Sequence, residues 1–384
     1  MRKDRIDIII PAYKAHSTIM RCLSSIAIQT IIEDVSVVLV NDCCPEGDYA
    51  EAVKAFGPCM DIREIRVPVN GGPGTARQIG VDNSDSEFIA FVDADDFLFK
   101  ATSLETLRRE ISTDDTYMCA SGAFYSPKYR DVPPKNSQLM VWLFGKLYRR
   151  AFLDKYKIRF NGTRANEDSG FNRTVLMLCD NPQERIKLIE EVLYYYSARD
   201  TSITNINGNI YYFDQGICGG IDNMIWAIEH ARRAKPFSGE VIRTTVDVMC
   251  FCYFGYMSTI ENAPDLSIQL WEYIKKYYHT CYERIEDYVT DGAFKRAYFG
   301  NMISAARNRG FIAVTPCMTV QEFMHRLKTE EYDPDLIREI REEMKTDPRY
   351  QDIMMNNVAC GVCPECYSDI PFEEVENEIQ ISES

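Results

Sequence analysis

Two carboxylates, Asp93 and Asp95, stand one residue apart directly after the apolar run FIAFV at 88–92. Carboxylate oxygens that emerge together at a strand end can hold a hard divalent cation along with the phosphate oxygens of a ligand. Mg2+ needs only one or two such protein ligands, the remainder being water and phosphate. Of the pair, Asp95 is the better metal-ligand candidate, and an acidic turn without metal is the alternative. Upstream, NGGPGTARQIG places glycines at a strand-to-helix turn and follows them with Arg77. The segment does not spell G-x-G-x-x-G and contains Pro73, so it fits a dinucleotide fingerprint poorly, and Arg77 can equally serve as a structural partner. Cys360, Cys363 and Cys366 make two overlapping C-x-x-C units, a zinc-thiolate spacing with no fourth ligand downstream; exposed thiols are the other reading. His16, His230, His279 and His325 share no ligand spacing.

The elements that must position these groups alternate. Ile6–Pro11, Val35–Asp42, Ile62–Val67 and Phe88–Asp93 are short β-branched runs, and helical spacing fills Thr18–Thr30 and Gly74–Asn83 between them. Consecutive apolar positions, as in VVLV at 37–40, imply strands covered on both faces, hence an α/β fold with a mostly parallel central sheet and helices on both sides. Ligands of such sheets lie beyond the carboxyl ends of the strands. That rule singles out Pro11-Ala12-Tyr13, Asn41-Asp42, Asn70-Gly71-Gly72 and Asp93-Ala94-Asp95-Asp96. From about Asn205 the pattern changes to long amphipathic helices, with Ile217, Ile221, Met224, Ile225 and Ile228 on one stripe and Trp271, Ile274 and Tyr278 on another. The chain therefore divides into 1–205, 206–348 as a helical C-terminal domain for acceptor binding or self-association, and 349–384 as a Cys-containing acidic tail.

With 43 Lys and Arg against 58 Asp and Glu the formal charge is -15, and residues 1–205 carry 26 of the basic and 29 of the acidic groups. The excess acid sits in the C-terminal half, which disfavours non-specific nucleic-acid binding while leaving room for local cations around a diphosphate. Fourteen cysteines, some adjacent as in Cys43-Cys44, look unlike a small disulfide scaffold and point to free thiols in a reducing cytoplasm. No secretion signal is visible in MRKDRIDIIIP. The apolar stretch Val241 to Ile260 contains Arg243 and Asp247, so it reads as a core helix rather than a membrane span.

Taken together, PAYKAHSTIMRCLSSIAIQT, VLVNDCCPEGD, VNGGPGTARQIGV and EFIAFVDADDFL resemble, in order and spacing, the motifs of inverting family 2 glycosyltransferases with the GT-A fold. WLFGKLYRRAFLDKYKIRF, ANEDSGF and YYYSARDTSIT resemble that family's acceptor-side segments, so the similarity runs over about residues 6–205. The resemblance implies that Pro11, Ala12, Tyr13 and Asp42 hold the base of a nucleotide-sugar donor, with uridine favoured. Asn70, Gly72, Arg77, Asp93 and Ala94 would complete that pocket, and Asp95 would ligate Mn2+ or Mg2+. It further implies Asp168 as general base, Glu167 as the group orienting donor or acceptor sugar, and Arg199 and Ser202 at the diphosphate. Family members commonly show Gly-Ser where this chain has Cys43-Cys44-Pro45-Glu46.

The expected activity is metal-dependent, inverting transfer of a sugar from a nucleotide diphosphate, UDP favoured, to a hydroxyl acceptor. A glycan or other polymer and a hydroxylated base in viral DNA are the acceptors left open; a non-catalytic nucleotide-sugar or carbohydrate-binding module is the alternative in another class. Seven basic residues, Lys146, Arg149, Arg150, Lys155, Lys157, Arg159 and Arg164, against the single acid Asp154, are read either as a receiver for an anionic acceptor or as a solvated helix face backed by Phe152, Tyr156 and Phe160.

Overall fold

The computed structural model describes residues 2–127, 130–132, 142–197, 210–307, 318–347 and 350. Four strands, β1 (Arg2–Ala12), β2 (Val35–Asn41), β3 (Asp61–Arg66) and β4 (Ser86–Phe91), fall within a few residues of the apolar runs. They pair in parallel, with Ile8 opposite Val37 on one side and Ala90 on the other. Between them run α1 (Ile19–Ala27), α2 (Ala50–Phe56) and α3 (Pro73–Asp82), and α4 (Ser103–Ile111) follows.

Beyond β4 the sheet is no longer purely parallel. β5 (Phe97–Leu98), β6 (Cys119–Ser126), β7 (Arg130–Val132), β8 (Lys146–Arg149) and β9 (Ile186–Tyr195) extend it in the order β3-β2-β1-β4-β8-β6-β9-β5, with β7 beside β6. β8 lies antiparallel to both β4 and β6, and β6 and β9 are parallel. The parallel arrangement thus belongs to the first four strands, and half of the sheet is mixed.

Alternation along β1 and β2 sorts two cores. Ile6, Ile8 and Ile10, with Val37 and Leu39, pack on α1 and α4 through Leu23, Ile26, Leu104 and Leu107. Ile9, with Val38 and Val40, faces Ala76 of α3 and the helices of the C-terminal half. Each such fully buried Ile or Val contributes about 1.5–3 kcal/mol relative to leaving it in water. β3 differs from the expectation of strands covered on both faces. It is the sheet edge, its residues are exposed or half-buried, and its charged side chains suit that position.

On the Ile9 face lie α5 (Arg150–Lys155), α6 (Glu167–Leu178) and, after the short α7 (Pro182–Arg185), the helical half: α8 (Gly219–Ala234), α9 (Gly239–Asn262), α10 (Ser267–Tyr277), α11 (Asp291–Arg307), α12 (Val320–Thr329) and α13 (Pro334–Thr346). The two amphipathic stripes are buried there, and α9, containing Val241 to Ile260, is a core helix. No helix among the described residues is long and apolar enough to cross a membrane. The junction near 205 lies outside the described residues. Within 349–384 only Tyr350 is described, and it packs against Tyr211 and donates to Asp214 at 3.0 Å.

The run of seven basic residues does not form one helix face. Lys146 and Arg149 belong to β8, and only Arg150–Lys155 is helical. Arg149 is buried against Glu87 at 3.0 Å, and Arg150 is buried with its Nε on the Ser86 carbonyl at 2.6 Å. Arg159 pairs with Asp82 and Arg164 reaches Asn70. Their charges are directed to separate partners.

Candidate active site

The strand order β3-β2-β1-β4 reverses direction at β1, which makes the β1/β4 junction the topological switch point where open α/β sheets leave a crevice at the carboxyl ends of the strands. Pro11 and Ala12 end β1, register with Val40 and Asn41 of β2, and lead to Tyr13, whose ring is 38% exposed at the rim.

Asp42 leaves β2 into this edge. Its two carboxylate oxygens accept from the backbone N–H groups of Gly71 and Gly72, each at 2.8 Å, and its carbonyl accepts from Asn70 Nδ2 at 2.9 Å. Gly72 has φ of +83°, a conformation that glycine adopts without strain and that turns both amides toward Asp42. Burial raises the Asp42 pKa; the two N–H bonds and the Arg164 charge hold that rise down. Arg164 in turn grips Asn70, donating to its side-chain oxygen and, at 2.8 Å, to its carbonyl. The loop expected to line a base pocket is thereby fixed by three residues far apart in sequence.

The glycine-rich turn opens α3, and Gly74 lets that helix end approach the start of α6. A Cβ on Gly74 would sit 2.9 Å from both the Asn161 carbonyl oxygen and Glu167 Cγ. One turn on, the Arg77 guanidinium is buried between two acids: Nη2 donates to Asp93 at 2.6 Å and Nη1 donates to Glu167. Burial alone disfavours its charge, but Asp93 and Glu167 outweigh that and raise its pKa. This bridge ties the Asp93-Ala94-Asp95 turn to the first turn of α6, where Asp168 follows Glu167.

Asp168 is the perturbed carboxyl of the group. Burial pushes its pKa up, the Glu167 charge pushes the same way, and Arg77 and its own bond from Ser169 N at 2.7 Å act against them, leaving it raised to about 7. Lys146 is buried nearby and donates to the Trp142 carbonyl; burial pushes its pKa down to about 8 although the Asp168 charge opposes the fall.

The third acid of the turn behaves differently. Asp96 is 1% exposed, accepting from Tyr194 Oη at 2.8 Å and from Ser197 N at 2.7 Å. Burial and repulsion from Asp95 and Asp93 raise its pKa well above normal. Arg21 donates to the Asp95 carbonyl at 2.7 Å and to Ser197 Oγ at 3.0 Å, so the turn is braced from α1 and from the end of β9. Ala94 is buried and Asp95 is half-buried. Asp96 therefore anchors the turn, while Asp93 and Asp95 are the acids at its open side. Arg199 and Ser202 lie outside the described residues.

The structure thus brings Asp42, Asn70 and Gly72 together in one cluster and Arg77, Asp93, Glu167 and Asp168 in another. Sequence reasoning did not foresee the Arg164 clamp or the Tyr194–Asp96 pair, and it gave Lys146 only a place in a basic run. The contacts join residues 94 and 98 positions apart, so no local spacing announces them.

Comparison with known proteins agrees with this geometry. Residues 7–168 match the family described as Glycosyl transferase family 2. The uncharacterized glycosyltransferase EpsJ of Bacillus subtilis is 28% identical over 231 residues, covering 52% of this chain and 63% of the relative. Poly(ribitol-phosphate) beta-N-acetylglucosaminyltransferase TarS of Staphylococcus aureus is 24% identical over 208 residues, covering 51% of this chain and 36% of the relative. The match thus spans less than two thirds of either relative's own length. The crystal structure of S. aureus TarS 1-349 in complex with UDP-GlcNAc superposes with a TM-score of 0.62 at 18% identity, covering 80% of this chain and 92% of that one. The sheet, its switch-point crevice and the matched motifs together make residues 7–168 a family 2 glycosyltransferase domain of the GT-A fold.

Proposed function

We propose that the chain transfers a sugar from a nucleotide-diphosphate donor, UDP favoured, to a hydroxyl acceptor with inversion at the anomeric carbon. The observation that carries this reading is the Asp93–Arg77–Glu167 bridge, because it holds an acid with a raised pKa, Asp168, beside the acidic turn at the switch point. Asp168 takes the acceptor hydroxyl proton, the acceptor oxygen bonds to the anomeric carbon on the face opposite the diphosphate, and the bond to the β-phosphate oxygen breaks with its electron pair leaving on UDP. Attack and departure on opposite faces invert the centre, as in single-displacement glycoside chemistry. A general base works best with a pKa near the working pH, and a value near 7 meets that condition.

The donor's base would rest against Pro11, Ala12, Tyr13 and the Asp42–Asn70–Gly72 loop, with Ala94 and Asp93 at its sugar side and Glu167 orienting the transferred sugar. Oxygen ligands at Asp95, with Asp93 adjacent and Asp96 anchoring the turn, fit a hard divalent cation such as Mn2+ or Mg2+. A cation held there supplies positive charge to the leaving diphosphate. Arg199 and Ser202 belong to this reading as further diphosphate ligands. The described cysteines are free thiols, most of them buried, which suits a reducing cytoplasm.

Titration calorimetry with UDP and UDP-GlcNAc, with and without Mn2+, followed by mass spectrometry of mixtures with glycan and ribitol-phosphate acceptors, tests the proposal. Metal-assisted donor binding and a product heavier by one sugar are expected, with EDTA abolishing the product. Absence of binding by every nucleotide sugar tried would overturn it.

A further inference from the structure

The segment that departs from the family pattern, Cys43-Cys44-Pro45-Glu46, places the side chains of Cys44 and Glu46 against the loop after β1. Among the described residues, His16, Cys44 and Glu46 are the trio whose ligand atoms, an imidazole nitrogen, a thiol sulfur and a carboxylate oxygen, all lie within 4.8 Å of one another. Sequence spacing could not reveal it, since the histidine and the cysteine stand 28 positions apart. Both loops enter the trio through left-handed backbone at a non-glycine residue, Lys14 with φ of 50° and Cys43 with φ of 55°. Such strained positions persist where the surroundings demand them.

The histidine's hydrogen bonds give an independent argument. His16 Nε2 lies 2.9 Å from the Asp48 carbonyl oxygen, which can only accept, so Nε2 carries the hydrogen. In the neutral ring Nδ1 is then a bare lone pair, and it faces Glu46 Oε2, another acceptor, at 3.1 Å. Two lone pairs at that separation need a positive centre between them, either a proton or a metal ion. A histidine whose second nitrogen is fixed by a backbone carbonyl is the usual arrangement of a metal ligand. The ring is also held by stacking on Tyr49, with centroids 4.4 Å apart and planes at 19°. Cys44 is 1% exposed and accepts from Lys14 N at 3.3 Å, while His16 and Glu46 are partly exposed and leave one side open to water.

We propose that His16, Cys44 and Glu46 bind a zinc-class divalent cation with water as fourth ligand, pinning the loop after β1 to the loop after β2. Zinc accepts mixed N, S and O ligands at about 2.0–2.3 Å in tetrahedral geometry, a set this trio supplies after a small inward closure. Binding releases the thiol proton of Cys44 to solvent and involves no redox step. The site is separate from Asp93, Asp95 and Asp168, and does not depend on the transfer reaction.

The test uses Co2+ as a spectroscopic probe on the full chain carrying Cys360→Ser, Cys363→Ser and Cys366→Ser, which removes the C-x-x-C thiols. After chelator treatment, one equivalent of Co2+ is expected to give thiolate-to-cobalt charge-transfer absorption that Zn2+ displaces, with a rise in Tm on Zn2+ addition. Cys44→Ser is expected to lose the charge-transfer band, and His16→Gln, which removes a ligand but keeps a polar side chain of similar reach, to weaken Co2+ binding by at least about tenfold. A band that survives Cys44→Ser, or no one-equivalent Co2+ binding in the parent, overturns the proposal and leaves His16 and Glu46 as a proton-held pair.

Discussion

Two buried clusters of acid and base lie on either side of the chain's midpoint, and they differ in what they leave over. In the helical half, Asp214 is fully buried and completely surrounded. Arg341 of α13 ion-pairs with it at 2.8 Å, Gln269 of α10 donates at 3.2 Å, Tyr350 donates at 3.0 Å, and Gln215 donates from the adjacent position. In the sheet half, Arg77 satisfies Asp93 and Glu167, but the next residue, Asp168, remains in the same low-dielectric surroundings with a raised pKa. Both clusters tie distant elements together. Only the second keeps a proton acceptor in reserve, and this difference, rather than burial or pairing as such, marks a candidate for chemistry.

The comparison can be broken most severely at Arg77. Arg77→Met leaves the buried Glu167 and the half-buried Asp93 without their cation, and a loss of about 3–5 kcal/mol in unfolding free energy by denaturant titration is expected, together with loss of donor binding. Asp168→Asn keeps the shape and removes the proposed base, so UDP binding is expected to persist while single-turnover transfer falls by roughly 10²–10⁴-fold. Unchanged transfer would remove Asp168 from the mechanism. Asp214→Asn, by contrast, is expected to cost about 1–3 kcal/mol of stability with kcat per folded molecule unaltered. A large kcat loss there would erase the distinction between the two clusters.

The smallest effect concerns pH and stability. Asp168 has a folded-state pKa above its unfolded value, so the folded protein holds that proton more tightly; the associated stability is full below about pH 4 and is lost as pH rises through about 7. Asp168→Asn cannot lose it. Its Tm relative to wild type is therefore expected to improve between pH 5 and pH 8, and a difference independent of pH would show that Asp168 titrates normally.

How much of this was legible in the sequence follows from distance along the chain. The strands were readable because VVLV and FIAFV are apolar at successive positions, and the residues just after them, Asp42, Asn70 and Asp93, followed from where parallel sheets put ligands. The Lys146–Arg164 run misled because its charges suggested a surface, whereas Lys146, Arg149 and Arg150 are buried, the two arginines on carbonyls of other elements and Lys146 on the nearby Trp142 carbonyl. Arg164 on Asn70, Tyr194 on Asp96 and His16 beside Cys44 are long-range pairings, and neither helical nor strand periodicity encodes them. Mixed pairing at β8 was hidden for the same reason: four residues, KLYR, carry no sign of strand direction.

The most direct test of the central claim is the pH dependence of kcat/KM for sugar transfer in wild type and Asp168→Asn, measured with whichever acceptor the product screen identifies. The account predicts a wild-type rate that climbs tenfold per pH unit below about pH 7 and then levels, and a residual Asp168→Asn rate that lacks this step. A flat wild-type profile, or the same step in Asp168→Asn, would contradict it.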